Sequence, residues 1–338
     1  MKYFFIFIKK YSKVITQKTI NTEREIMAGA YAHLTVVNKA FKEKILEELG
    51  LSNNALIALS DCSSFVELGS VSPDYPYLAI SAKHKKWADL MHLEMKTKSF
   101  IFKGIEEVKA INDKEDKRRA FAWLCGLAAH IVTDVVIHPV VELKVGPYEG
   151  HEAAHRNCEM HQDVYIYKKI TGYGEISETE QLSLFGKECS DNGDTDKLNK
   201  TISLVWGKML AVLSKEEYLV NKPEFDTWHK RFHSLVSKIE ETQNFPTISR
   251  HVIGLEAGAI YPKFEEVNKK EFIENLKVPG NKIMHYDDIF SKAVFQVQQT
   301  WKVLDEAIFK NGVTHLEYFS DWNLDNGRTS SGKLEYWA

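Results

Sequence analysis

Apolar positions recur at three- and four-residue spacing along most of the chain, and runs of alternating β-branched residues are few. The pattern therefore predicts helices, with strands at most minor. Residues 40–49 (AFKEKILEEL) read as an amphipathic helix stopped by Gly50 as a C-cap. Residues 68–77 carry Gly69, Pro73 and Pro76 and read as an irregular loop. Residues 87–108 read as helical again. Residues 115–137 open on a charged turn and then turn apolar on every face, the mark of a central buried helix, with Pro139 expected to end it. After a Gly/Pro segment at 146–150, a helix is expected over 151–169. Others are expected near 199–214, 223–243 and 284–310, Pro223 sitting in the first turn of the second. Residues 171–200 read as a polar surface insertion, and the Gly/Ser-rich tail from Asp321 to Ala338 is poorly periodic. No internal repeat is present. The expected fold class is all-α: a single helical domain, residues 28–338, built around the buried central helix.

Residues 1–27 read as a non-structural N-terminal extension. The apolar run at 3–8 is bounded by Lys2, Lys9 and Lys10 and is shorter than the core of a secretory signal. No other segment reads as an uncharged membrane-spanning length.

Composition narrows the function. The chain has 338 residues, 44% apolar and 27% charged, which is ordinary for a soluble protein with a sizeable core. A formal net charge of −3 gives no overall basic field, so duplex nucleic acid is not an expected partner. Cys62, Cys125, Cys158 and Cys189 form no C-x-x-C pair and read as reduced thiols. That favours a cytoplasmic location, with secretion expected only if residues 1–27 are a degenerate signal. Of thirteen histidines, five fall between His130 and His161.

That cluster carries the chemistry. His130-x-x-x-Asp134-x-x-x-His138 lies on the central helix, and each step of four residues turns a helix by only about 40°. Three potential ligands thus line one stripe of an otherwise apolar helix. A carboxylate buried there is costly unless a cation or hydrogen-bond donors stabilise it, and a metal ion is the simplest answer. His155-x-x-x-Glu159 repeats the geometry on the next helix, where imidazole and carboxylate can share one zinc ion. The competing reading of that helix is a solvated face, since it also carries Glu152, Arg156, Gln162 and Asp163. His151 and His161 read as surface histidines. Upstream candidates are His33, Asp74 in a loop after Pro73, and His92, which by itself would be read as packing beside Trp87.

In order, His33, Ser72-Pro73-Asp74, Trp87-Ala88-Asp89-Leu90-Met91-His92, His130/Asp134/His138 and His155/Glu159 resemble the zinc-dependent phospholipase C family, whose superfamily includes single-strand-specific zinc nucleases. The resemblance spans about residues 28–167. It implies two or three zinc ions. Asp74, His92, His130 and Asp134 would hold the first, and His138, His155 and Glu159 the second. His33 and Asp134 would hold the third, Asp134 bridging to the first. The family completes the third site with the amino group and carbonyl of its mature N-terminal residue, usually tryptophan. Here no tryptophan precedes His33, and the gap from Asp134 to His138 is shorter than in the secreted bacterial enzymes. Met27-Ala28-Gly29-Ala30 reads as a translation start, so the α-amine of Ala28 becomes the candidate N-terminal ligand.

The activity implied is metal-activated hydrolysis of a phosphodiester, most specifically phospholipase C cleavage of a glycerophospholipid to diacylglycerol and a phosphorylated headgroup. Asp74 and Asp134 are the candidate catalytic carboxylates: Asp134 bridges two ions and Asp74 orients or deprotonates the attacking water. The expected partner is a phospholipid or another phosphodiester, with transient contact at a membrane surface. A nuclease acting on single strands is the alternative; it would need a stacking surface and a basic channel, and the aromatic residues are scattered. A non-catalytic zinc-binding protein is the third reading, weakened because structural zinc favours closed cysteine-rich shells.

Overall fold

The computed structural model describes residues 29–41, 43–79, 81–172, 186–242 and 261–338. It is all-α apart from two small hairpins. The principal helices are α1 (Ala30–Ala40), α2 (Asn53–Asp61), α3 (Ser63–Val71), α4 (Ala82–Leu93), α5 (Thr97–Ala110), α6 (Lys114–Val145), α7 (Glu152–Thr171), α8 (Lys200–Leu213), α9 (Phe225–Thr242) and α10 (Tyr286–Phe309).

The centre is α6. The Asp113 carboxylate caps it by accepting the Asp116 N–H at 2.8 Å, and Glu115 and Asp116 place negative charge in its first turn. From residue 120 to 141 every position is buried except the half-buried His138. Helices α3 and α10 lie along it. The crossing with α3 is close because Gly69 and Gly126 face each other: a Cβ on Gly126 would stand 2.0 Å from the Val66 carbonyl oxygen, and one on Gly69 2.1 Å from that of Trp123. From α10 the Trp301 indole donates to the Cys125 carbonyl at 3.0 Å.

Pro139 does not end this helix, which continues to Val145 and stops at Gly146 with φ +99°. Proline removes the N–H that would pair the Val135 carbonyl. The backbone of Gly327 (φ +68°) packs into that turn, so closely that a Cβ would lie 2.6 Å from the Val135 oxygen. The Trp337 indole donates to the neighbouring Val136 carbonyl at 3.0 Å. Tertiary contacts thus hold a turn that local rules would break. Helix α6 is also long and apolar enough to cross a membrane, contrary to the expectation that no segment is, but its apolar stretch is wholly buried in the fold.

Other departures have local causes. Residues 68–77 are not an irregular loop: α3 runs to Val71 and a 3-10 helix follows over Ser72–Ala79, since proline φ suits tight helical turns. The helix expected over 87–108 is split, α4 ending at Leu93 and α5 starting at Thr97, with Met95 at φ +51°. Thr97 Oγ1 there donates to the Ser320 carbonyl and accepts the Trp322 N–H at 2.8 Å, so the break is where the C-terminal segment docks. The helix expected over 40–49 is present in shortened form, as a six-residue helix at Glu43–Glu48 that follows the end of α1 and precedes Gly50 at φ +70°. Within the polar stretch, Ser190–Asp191 pairs with Asp194–Leu198 across Asn192-Gly193, both at positive φ as a tight hairpin turn requires. The remainder of that stretch, 173–185, and residues 1–28 lie outside the described residues.

Candidate metal centre

The candidate ligands come from separate elements that meet beside α6. His33 lies on α1, Asp74 on the 3-10 helix, His92 on α4, His130, Asp134 and His138 on α6, and His155 and Glu159 on α7. Asp134 is the hub. Its Oδ1 is 3.2 Å from His33 Nε2 and 3.5 Å from His138 Nε2, and its Oδ2 is 3.1 Å from His130 Nε2. His92 Nε2 lies 3.3 Å from Asp74 Oδ1, and His138 Nε2 lies 3.4 Å from Glu159 Oε1. The His33 and His130 rings stack with centroids 4.0 Å apart.

Backbone carbonyls aim these rings. His92 Nδ1 bonds the Ala88 carbonyl at 2.8 Å, His130 Nδ1 that of Ser70 at 2.8 Å, and His138 Nδ1 that of Leu324 at 2.6 Å. Each bond fixes the proton on Nδ1 and leaves Nε2 facing inward as a donor to a cation. His155 is the exception. It is buried, but its Nε2 is bonded to the Gly146 carbonyl at 2.8 Å, so only Nδ1 is left to serve the site, and the structure does not bring it into contact with His138 or Glu159. Ala28 lies outside the described residues. Its neighbour Gly29 borders the narrow cavity that His33, Asp134, His138 and Glu159 also line.

The donor set fits a metal. One atom each from His33, Asp74 and His130 lie within 4.8 Å of one another, and so do atoms of His92, His130 and Asp134. His130 Nε2 and Asp134 Oδ2 are close yet misaligned for a hydrogen bond, and both are buried without a hydrogen-bond partner. Buried donor atoms that lie close together without hydrogen-bond partners are what a cation between them would satisfy. Imidazole and carboxylate together suit zinc. The four cysteines are free and buried, and none is among these ligands.

The electrostatics favour positive charge here. Burial pushes the Asp134 carboxyl up, but His130, His138 and His33 together hold it well below the usual carboxylate range. Burial likewise raises Asp74, and His130 and His92 hold it below its ordinary value. Burial lowers His92 and His138, but Asp74 lifts the first to about 9, and Asp134 with Glu159 lifts the second to about 10. His33 is lowered, by burial and then by the stacked His130.

The competing reading of α7 counted Asp163 towards a solvated face, and the structure places it inside. Its Oδ1 accepts the Ala32 N–H at 2.7 Å, and its Oδ2 accepts the Gly29 N–H at 3.1 Å and the Tyr261 hydroxyl at 3.0 Å, anchoring the start of α1 beside His33. Burial pushes its carboxyl up to about 8. The signal was available, since Asp163 continues the four-residue stripe of His155 and Glu159.

The sequence profile of zinc-dependent phospholipase C matches residues 32–243. The chain belongs to that family. The match includes all eight candidate ligands from His33 to Glu159 and ends well before the C-terminal segment that contacts His138. No curated protein and no solved structure matches the chain. As a zinc-dependent phospholipase C family member it is a zinc-associated helical hydrolase in general character.

Proposed function

We propose that the protein hydrolyses glycerophospholipids to diacylglycerol and a phosphorylated headgroup at a centre of two or three zinc ions. The observation that carries this reading is the convergence of three imidazoles from two helices within 3.5 Å of the buried Asp134 carboxylate. Asp74, His92, His130 and Asp134 would hold one ion, His138, His155 and Glu159 a second, and His33 with Asp134 a third. The α-amine of Ala28 would join the third if translation starts at Met27. Bound there, zinc supplies acidified water and positive charge against phosphate oxygens.

The chain's own residues do the rest. The carbonyls of Ala88, Ser70 and Leu324 hold three imidazoles in one tautomer, so the donors need no reorientation. The two acidic groups on either side of His130 divide their roles by exposure. The Asp134 side chain is 2% exposed and would serve as a fixed ligand, whereas that of Asp74 is 27% exposed and can reach a water beside the substrate. Held ionised by its neighbours, Asp74 can accept the proton that water gives up as it attacks phosphorus.

Zinc counting on metal-replete protein, with assays on phosphatidylcholine, single-stranded DNA and a simple phosphodiester, tests the reading. Two or three ions per chain and lipid hydrolysis are expected. Asp134→Ala should retain helical structure yet lose zinc and at least about a hundredfold in activity, more than losing an outer-shell partner costs. A chain that holds no zinc would overturn the proposal, and cleavage of DNA but not lipid would replace it with the nuclease reading.

A further inference from the structure

The C-terminal segment is pinned across the candidate centre at several points. Thr97 Oγ1 bonds the Ser320 carbonyl at 2.7 Å, the Lys98 N–H bonds Asp321 Oδ1 at 3.0 Å, and Trp322 is buried with its N–H on Thr97. Leu324, fully buried, then joins two ligand-bearing helices. Its N–H donates to the His92 carbonyl on α4 at 2.8 Å, and its carbonyl accepts His138 Nδ1 on α6 at 2.6 Å. Three residues on, Gly327 packs against Val135 and Pro139, and Arg328 pairs with Glu142. Asp325 lies between these anchors and is half-buried.

The two bonds of Leu324 place Asp325 next in chain to the link between His92 and His138, and its carboxyl interacts electrostatically with both rings, with Asp134 and with His155. A carboxylate fixed beside another buried carboxylate is unfavourable unless cations lie among them. We propose that the segment at 320–329 is part of the metal centre, with Asp325 contributing a further carboxylate to it and the Leu324 carbonyl positioning His138. This rests on the reading that the centre holds zinc, and it lies outside the residues matched by the family profile.

Chelator competition on the full-length protein measures zinc affinity without reference to turnover. Asp325→Asn should bind zinc about ten- to hundredfold more weakly, the scale of losing an outer-shell partner, while Ser330→Ala, exposed immediately after the segment, should match wild type. Unchanged affinity in Asp325→Asn, or equal loss in both variants, would overturn the inference and leave the zinc reading standing. If wild type binds no zinc, both fall. Should Asp325→Asn fail to fold, hydrogen exchange of residues 320–329 in wild type decides: zinc should slow it, and identical exchange with and without zinc would overturn the proposal.

Discussion

His229 shows at a single residue how burial sets a titration. It is fully buried on α9, its Nε2 3.0 Å from Ser190 Oγ, and burial followed by the neighbouring His233 pushes its pKa down to about 3. An unfolded histidine takes up a proton near pH 6.5, about the ordinary value. Between those two values the unfolded state therefore binds one more proton than the folded state. The contribution of this group is present above pH 6.5 and is lost as pH falls towards 3, by up to about 1.4 kcal/mol per pH unit. His229→Gln should flatten the dependence of urea stability on pH between 6.5 and 4; an unaltered slope would assign it to other groups. At this scale the site was partly legible. The stripes 130/134/138 and 155/159 follow from helix geometry alone. His33, Asp74 and His92 carry no such periodic signal, because what unites them is tertiary convergence, and the family resemblance alone assigned them to particular zinc ions. The outward bond of His155 Nε2 to Gly146 was not readable, since it depends on how the turn after α6 folds back.

Among the elements, the crossing of α3 over α6 is the tightest constraint. With the two glycines facing each other, either helix must move if a methyl is added, and the obstructing atoms are backbone and cannot rotate away. Gly126→Ala should cost at least about 1–3 kcal/mol, the usual range for overpacking, although alanine is the better helix former in isolation. Urea denaturation checks this: a variant as stable as wild type would mean the helices part more easily than their packing implies. The same element also marks the boundary of sequence reasoning. The buried face of α6 was evident from its unbroken apolar run. Its continuation through Pro139 was not, because the compensating partners, Gly327 and Trp337, are about 190 residues away. The split between α4 and α5 was hidden likewise, Thr97 being tied to Ser320 and Trp322.

For the molecule as a whole, the all-α class was legible from periodicity, while the path of the C-terminal segment was not, since its partners on α4, α5 and α6 are remote in sequence. That path matters for how metal and fold are coupled. Residues of α1, the 3-10 helix, α4, α6 and α7 meet at one centre, so a ligand held there ties together parts of the chain from His33 to Glu159. In the absence of metal, the raised pKa values of His92 and His138 leave both imidazoliums charged at neutral pH, and they supply positive charge to Asp74, Asp134 and Glu159. The apolar core around α6 does not include these groups, so its burial does not depend on the ion. Chelated protein should therefore keep its helical circular dichroism. Zinc at a hundred times its dissociation constant should add about 2.7 kcal/mol of stability per independent site, and zinc uptake at pH 7 should release protons, because the ligand imidazoles must be neutral. Differential scanning calorimetry with and without zinc, and titration calorimetry in buffers of different ionisation enthalpy, measure the two effects. Global loss of helix on chelation would show instead that the ions hold the fold together. An unchanged melting temperature together with no proton release would show that no cation binds among these residues.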